Sequence, residues 1–183
     1  MTRITTNQLA NLACKNGYEL ATLEAVINVE SGGIGFDKAT GKIIIQFEPS
    51  WMKRKAPYTP SGKWSINGVE RQSAEWIAFN DAYSKNPNAA MESTSIGMLQ
   101  VMGFHYKLLG FKTVGAMWDF AKQSEINQVE LAVRFIKSNK KLDQALKDKN
   151  WPVVAYYYNG SQYKKFKYDT RLAYSYQINK ANA

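Results

Sequence analysis

Almost every apolar stretch of this chain repeats at helical spacing between a capping residue and a breaker, and that punctuation restricts the fold to one built chiefly of helices. Thr6 can cap a first helix that carries Leu9, Leu12 and Ala13 and is ended by Gly17; a second runs through YELATLEAVINVE to Ser31-Gly32-Gly33. The pattern predicts further helices over 73–86, 95–102, 114–122, 124–138, 141–149, 151–159 and 169–179. Within 124–138, Ile126, Val129, Val133 and Ile136 recur at intervals of 3, 4 and 3, the spacing of one buried helical face. Residues 36–48, FDKATGKIIIQFE, are the exception: a Thr40-Gly41 turn before a β-rich run predicts a small hairpin. After it, residues 52–68 gather Lys53, Arg54 and Lys55 with two Pro and two Gly and read as a surface loop. The expected class is mainly α (α+β), a helical body with a small hairpin.

A length of 183 residues suits one compact domain, so residues 1–183 are read as a single unit. With 45% hydrophobic and 13% aromatic residues the chain can bury a core, which excludes disorder and fibrous repeats. Lys and Arg number 24 against 15 Asp and Glu, a net charge of +9 that favours an anionic partner: nucleic acid, anionic lipid or an acidic polymer such as bacterial cell wall. Charge alone does not choose among these. Cys14 and His105 are the sole residues of their types, so no disulfide framework, Cys-based zinc site or multi-histidine centre is expected, and no cofactor. Cys14, beside Ala13, reads as buried filler. No apolar run approaches the roughly 20 residues of a bilayer span, and MTRITTNQLANLACKNGYEL has no apolar segment of a secretory signal.

Two carboxylates stand out by position. Each helical residue advances by about 100°, so Leu23, Val26, Ile27 and Glu30 share one side of the second helix. A carboxyl that continues an apolar stripe loses water, and the last turn lies at the negative end of the helix dipole; both favour the protonated form that a general acid needs. A solvated glutamate at a frayed helix end is the bland alternative. Glu48 closes IIIQFE, where strand alternation turns Ile43, Ile45 and Phe47 one way and Gln46 and Glu48 the other, toward a possible cleft. A carboxylate on a hairpin facing one at a helix end is the pairing that glycosidases use. An ordinary polar-face glutamate is the alternative here.

Three blocks follow in order: Glu30-Ser31-Gly32-Gly33, STSIGMLQVM over 93–102, and AYYYNGSQY over 155–163. Together they resemble the lysozyme-like superfamily of goose-type lysozymes and soluble lytic transglycosylases, and within it the phage N-acetylmuramidase endolysins. The resemblance runs from about Leu20 to Tyr176. It implies a lysozyme-like helical domain whose small hairpin flanks the cleft, with Glu30 as catalytic acid and Ser95, Gln100, Tyr158 and Asn159 lining a sugar groove. Ser, Gln and Asn read sugar hydroxyl and acetamido groups, and tyrosine rings cover their apolar faces. Three consecutive tyrosines cannot all point one way on a helix, so one of Tyr156, Tyr157 and Tyr158 is expected to pack.

There are departures. GMLQ stands where transglycosylases carry Gly-Leu-Met-Gln, and Tyr-Asn-Gly lacks their usual intervening Ala. The N-terminal peptidoglycan-binding module of larger family members has no counterpart, so no separate wall-binding module is expected. The basic runs at 53–55, 137–149 and 164–167 are then candidates for electrostatic contact with the envelope. His105 and most of Trp51, Trp64, Trp76, Trp118 and Trp151 read as structural, with Trp76, Phe79 and Tyr83 at packing intervals. Asp37 is the reserve carboxylate, and Thr94 a further residue able to orient a water.

The expected activity is hydrolysis of the β-1,4 bond between N-acetylmuramic acid and N-acetylglucosamine in peptidoglycan glycan strands, by a monomer. It would be made in a host cytoplasm and act on the wall after the inner membrane is permeabilised. The rival is lytic transglycosylase chemistry, which yields 1,6-anhydro ends and needs no second carboxylate. A non-catalytic wall-binding or nucleic-acid-binding protein is the reading from another class; no nucleic-acid signature is present, and no nucleic acid is expected as a partner.

Overall fold

The computed structural model of the protein describes residues 3–57 and 71–182. Trp64 and most of the expected 52–68 loop lie outside the described residues. Ten α-helices and a three-stranded antiparallel sheet are present among the described residues, so the mainly α class holds. The first helix, α1 (Thr6–Asn16), is capped by Thr5, not Thr6: Thr5 and Gln8 form a reciprocal capping box, and Gly17 closes the helix in the left-handed conformation at φ 75°. Next comes α2 (Leu20–Ser31), which packs against α1 and, most extensively, against the last helix, α10 (Tyr168–Ala181). Leu23, Val26 and Ile27 are buried as expected, but so are Ala21, Thr22, Ala25 and Val29, making α2 a central helix.

The hairpin expected over 36–48 is reduced to a tight turn. Asp37 accepts hydrogen bonds from the Thr40 backbone N–H and hydroxyl, both at 2.8 Å, and a single bridge joins Phe36 to Ile43. Strand β1 (Ile45–Phe47) pairs instead with β2 (Thr94–Ile96), which pairs with β3 (Val101–Met102). The outer edge of β1 is covered by α4 (Gln72–Lys85): Gln72 exchanges two hydrogen bonds with Ile45, and the Phe47 N–H donates to Glu75 Oε2 at 2.8 Å.

A helix over 95–102 is not formed. Ser95 pairs with Met102 across a turn in which Gly97 and Gln100 take φ of 75° and 50°, so the segment is a strand, turn and strand followed by a 3-10 turn at Gly103–His105. All three residues of β2 are buried, which erases the alternation that marks a half-buried strand. Nor is the chain loop-like from residue 52: α3 (Pro49–Lys55) begins with Pro at its first turn and buries Met52 completely. A short α5 (Pro87–Glu92), capped by the Asn86 side chain, is also added.

The remaining helices, α6 (Val114–Gln123), α7 (Glu125–Ser138), α8 (Lys140–Lys147) and α9 (Trp151–Asn159), match the expected spans closely. On α7, Val129, Val133 and Ile136 are core, but Ile126 is only half-buried and Glu125 and Gln128 are buried in its stead. Trp118 and Trp151 are core, and Trp76 packs edge-on against Phe79 and Trp118, whereas Tyr83 is exposed. Cys14 is exposed, correcting its reading as filler; it lies off the stripe of Leu9 and Ala13 that α1 buries. Thr94 is fully buried and donates its hydroxyl to the Ala90 carbonyl at 2.8 Å, so it is not a residue that orients a water.

Candidate active site

Glu30 lies in the last turn of α2, which Gly32 terminates at φ 60°. The residues around it come from the far end of the chain. Asn159, the last residue of α9, donates Nδ2–H to Glu30 Oε1 at 2.9 Å, and Arg171 of α10 donates to the Val29 carbonyl at 3.0 Å. Burial pushes the Glu30 carboxyl above the usual carboxylate range, a rise tempered by the Asn159 hydrogen bond and the Arg171 charge. A half-buried carboxyl so placed keeps its proton to higher pH than a solvated one.

Tyr158 is beside Asn159, and its hydroxyl donates to the Leu99 carbonyl at 3.2 Å. Burial and the nearby Glu30 charge raise its pKa, so the phenol stays protonated. Because Leu99 precedes Gln100, this bond ties the Glu30 cluster to the turn between β2 and β3. Gln100 occupies the left-handed region at φ 50°, a conformation that costs a non-glycine residue about 1–3 kcal/mol. Its side chain helps offset that: Nε2 donates to the Gly97 carbonyl and Oε1 accepts the Ser95 hydroxyl, each at 2.7 Å.

Ser95 is 4% exposed and works mainly by orienting Gln100. Beyond it, Gln46 of β1 and Glu48, which follows the strand and precedes α3, are half-buried, while Ile45 and Phe47 point into the core. Gln46 Nε2 donates to Glu48 Oε1 at 3.1 Å. The polar residues therefore form two linked groups, Glu30, Tyr158 and Asn159 on the helical side and Gln46, Glu48, Ser95 and Gln100 on the sheet side. A hollow of about 170 Å³ borders one residue of each group, Gln100 and Tyr158, and is lined also by Leu99, Met102, His105 and Phe135; neither Glu30 nor Glu48 lines it.

Asp37 is elsewhere, exposed on its turn and held by Thr40. Of the tyrosines, Tyr156 is half exposed to solvent and Tyr158 turns inward. Lys137, Lys140, Lys141, Lys164, Lys165 and Lys167 are exposed, whereas Lys55, Lys147 and Lys149 form ion pairs with Glu92, Asp143 and Glu19.

Four residues near the site were not readable as such. His105 and Phe135 line the hollow, with ring centroids 5.0 Å apart, and burial lowers the His105 pKa so that the ring is neutral. Arg171 reaches Val29 of α2 from 142 residues away and carries no local signal. Gln128 lies behind the turn and accepts the Met98 N–H at 2.7 Å; its only trace in the sequence is a polar residue interrupting an apolar helical face. No group of three or more His, Cys, Asp or Glu side chains able to hold a metal ion occurs among the described residues.

A family model described as N-acetylmuramidase matches residues 19–180. Among solved structures, the crystal structure of the Burkholderia AP3 phage endolysin is similar, with a TM-score of 0.86 and 33% sequence identity over 99% of this chain and 72% of that one. No curated protein sequence matches significantly.

Proposed function

The chain belongs to the N-acetylmuramidase family and is a peptidoglycan-degrading glycoside hydrolase of the endolysin type; from that premise we propose that it hydrolyses the β-1,4 bond between N-acetylmuramic acid and N-acetylglucosamine, with Glu30 as general acid. The observation that carries this reading is the desolvated carboxyl of Glu30 under the Asn159 amide at the end of α2. A glycosidic oxygen leaves most readily when protonated, and a carboxyl whose pKa burial raises is the group suited to protonate it.

The sheet side supplies the second function. Glu48, steadied by Gln46, activates water or stabilises positive charge developing on the sugar. Gln100 retains one amide N–H beyond the bond to Gly97. It suits the hydroxyl and acetamido groups of a glycan strand, and the Tyr158 ring offers an apolar wall. Exposed lysines at 137–141 and 164–167 provide electrostatic contact with an anionic envelope.

Wild type and Glu30→Gln compared on isolated cell walls test the assignment. Wild type should release muropeptides with reducing ends and the variant almost none. Equal clearing by both removes Glu30 from the mechanism, and 1,6-anhydro ends in the products assign the transglycosylase route instead. The reading also includes a monomer made in the host cytoplasm that meets the wall once the inner membrane is permeabilised; ultracentrifugation and fractionation of producing cells before lysis check each point.

A further inference from the structure

One side chain outside the cleft grips both backbone segments that carry the site. Gln128, one turn into α7, is 1% exposed. Its Oε1 accepts the Met98 N–H at 2.7 Å, two residues before Gln100, and its Nε2 donates to the Ala121 carbonyl at 3.2 Å. The same carboxamide meets the loop after Glu30. A Cβ at Gly35 would stand 2.2 Å from Gln128 Oε1, and one at Gly97 would stand 2.8 Å from Gln128 Cγ. Glycine at 35 and 97 thus lets two chains close on a single amide, with no slack for either to drift. Glu125, one turn earlier on α7, adds a hold on the first chain by accepting the Gly35 N–H at 3.4 Å.

We propose that Gln128 is a positioning residue for the reaction: by clamping the Gly35 loop and the Gly97-Met98 turn to one carboxamide, it sets the separation between Glu30 and the sugar-binding amide of Gln100. This rests on Glu30 being the acid. An apolar side chain of similar volume fills the space but leaves the Met98 N–H and the Ala121 carbonyl buried without partners, so the turn must shift to find others. A shift of that kind displaces Gln100 relative to Glu30 while the core remains packed, and a misplacement of about 1 Å can cost about 100-fold in rate.

The test uses the full chain with three variants. Gln128→Met is expected to fold, to keep KM for soluble glycan fragments near that of wild type, and to lose kcat by about 10- to 100-fold. Gln128→Glu at about pH 5, where a buried carboxyl is protonated and offers the same acceptor and donor, should recover most of that kcat and lose it again as the pH rises. Val133→Ala, a core truncation on the same helix, should lower Tm with no loss of kcat below its unfolding temperature. Wild-type kcat in Gln128→Met overturns the proposal, as does an equal loss in Val133→Ala. Failure of the Gln128→Glu rescue at low pH also overturns it, and this variant carries the test alone if Gln128→Met does not fold. Activity in Glu30→Gln, assayed alongside, instead defeats the general-acid reading and so is told apart from failure of the clamp.

Discussion

The two carboxylates of the site are held in opposite ways. Glu30 ends a helix buried on nearly every side and takes its hydrogen bond from Asn159, 129 positions away. Glu48 sits where a three-residue strand meets a seven-residue helix, and its amide partner, Gln46, is two positions away in that strand. The first environment is assembled on α2 by two distant helices, α9 and α10; the second follows from local backbone geometry. Desolvation by the helical body is what raises the Glu30 pKa, and no local feature of the α2 C-terminus reproduces it. The raised pKa of Glu30 is thus built by packing, whereas the setting of Glu48 is built by its neighbours in the chain.

This contrast can be broken by experiment. The largest effect is expected from Glu30→Gln, with a loss of about 10²–10⁴-fold in turnover on purified walls. Glu48→Gln should cost less, about 10- to 100-fold, because a water can still be oriented by the neighbouring amide. Equal losses would erase the distinction between the two residues, and no loss at Glu48 would leave Glu30 acting alone. Ser95→Ala removes the hydroxyl that aligns Gln100 and should reduce kcat/KM by less than about tenfold, the worth of one hydrogen bond.

Smaller effects sharpen the account of Glu30. Arg171→Gln keeps a donor for the Val29 carbonyl but removes a charge that lowers the Glu30 pKa, so the alkaline limb of the activity profile should move to higher pH. A shift to lower pH would mean that the Arg171 charge does not lower the Glu30 pKa. The stability sign follows from the same direction. A folded-state pKa above the unfolded one stabilises the fold at acid pH, and that contribution is lost as the pH rises through the folded value. Glu30→Gln should therefore melt at a higher temperature than wild type at neutral and alkaline pH, with the gap closing toward about pH 4. Scanning calorimetry across that range reads it directly.

Legibility divided along the same line. The spans of α6 to α10 and the closure of α1 at Gly17 follow from caps and periodicity, which act within a few residues. The 95–102 segment misleads because SIGMLQVM is apolar throughout, and a short buried run has no period to read; only pairing with β1 and the left-handed Gln100 make it a strand and turn. On α7, Ile126 satisfies the apolar pattern yet is half-buried, while Glu125 and Gln128 break it and are core. Their burial is stable because each carbonyl or carboxylate oxygen meets a backbone N–H from another segment, a match that no rule of spacing contains.

What the sequence determined by itself is a helical body, the helix end that carries Glu30, the strand face that turns Gln46 and Glu48 away from Ile45 and Phe47, and a family resemblance spread over three blocks. These are consequences of backbone geometry, which is set by neighbours in the chain. What the tertiary structure alone decided is the environment of those groups: which helices strip water from Glu30, which amide binds it, and which buried glutamine meets the Gly35 loop and the Gly97-Met98 turn. Desolvation and hydrogen-bond partnership are properties of surfaces brought into contact, and contacts across more than a hundred residues leave no local trace in the order of the amino acids.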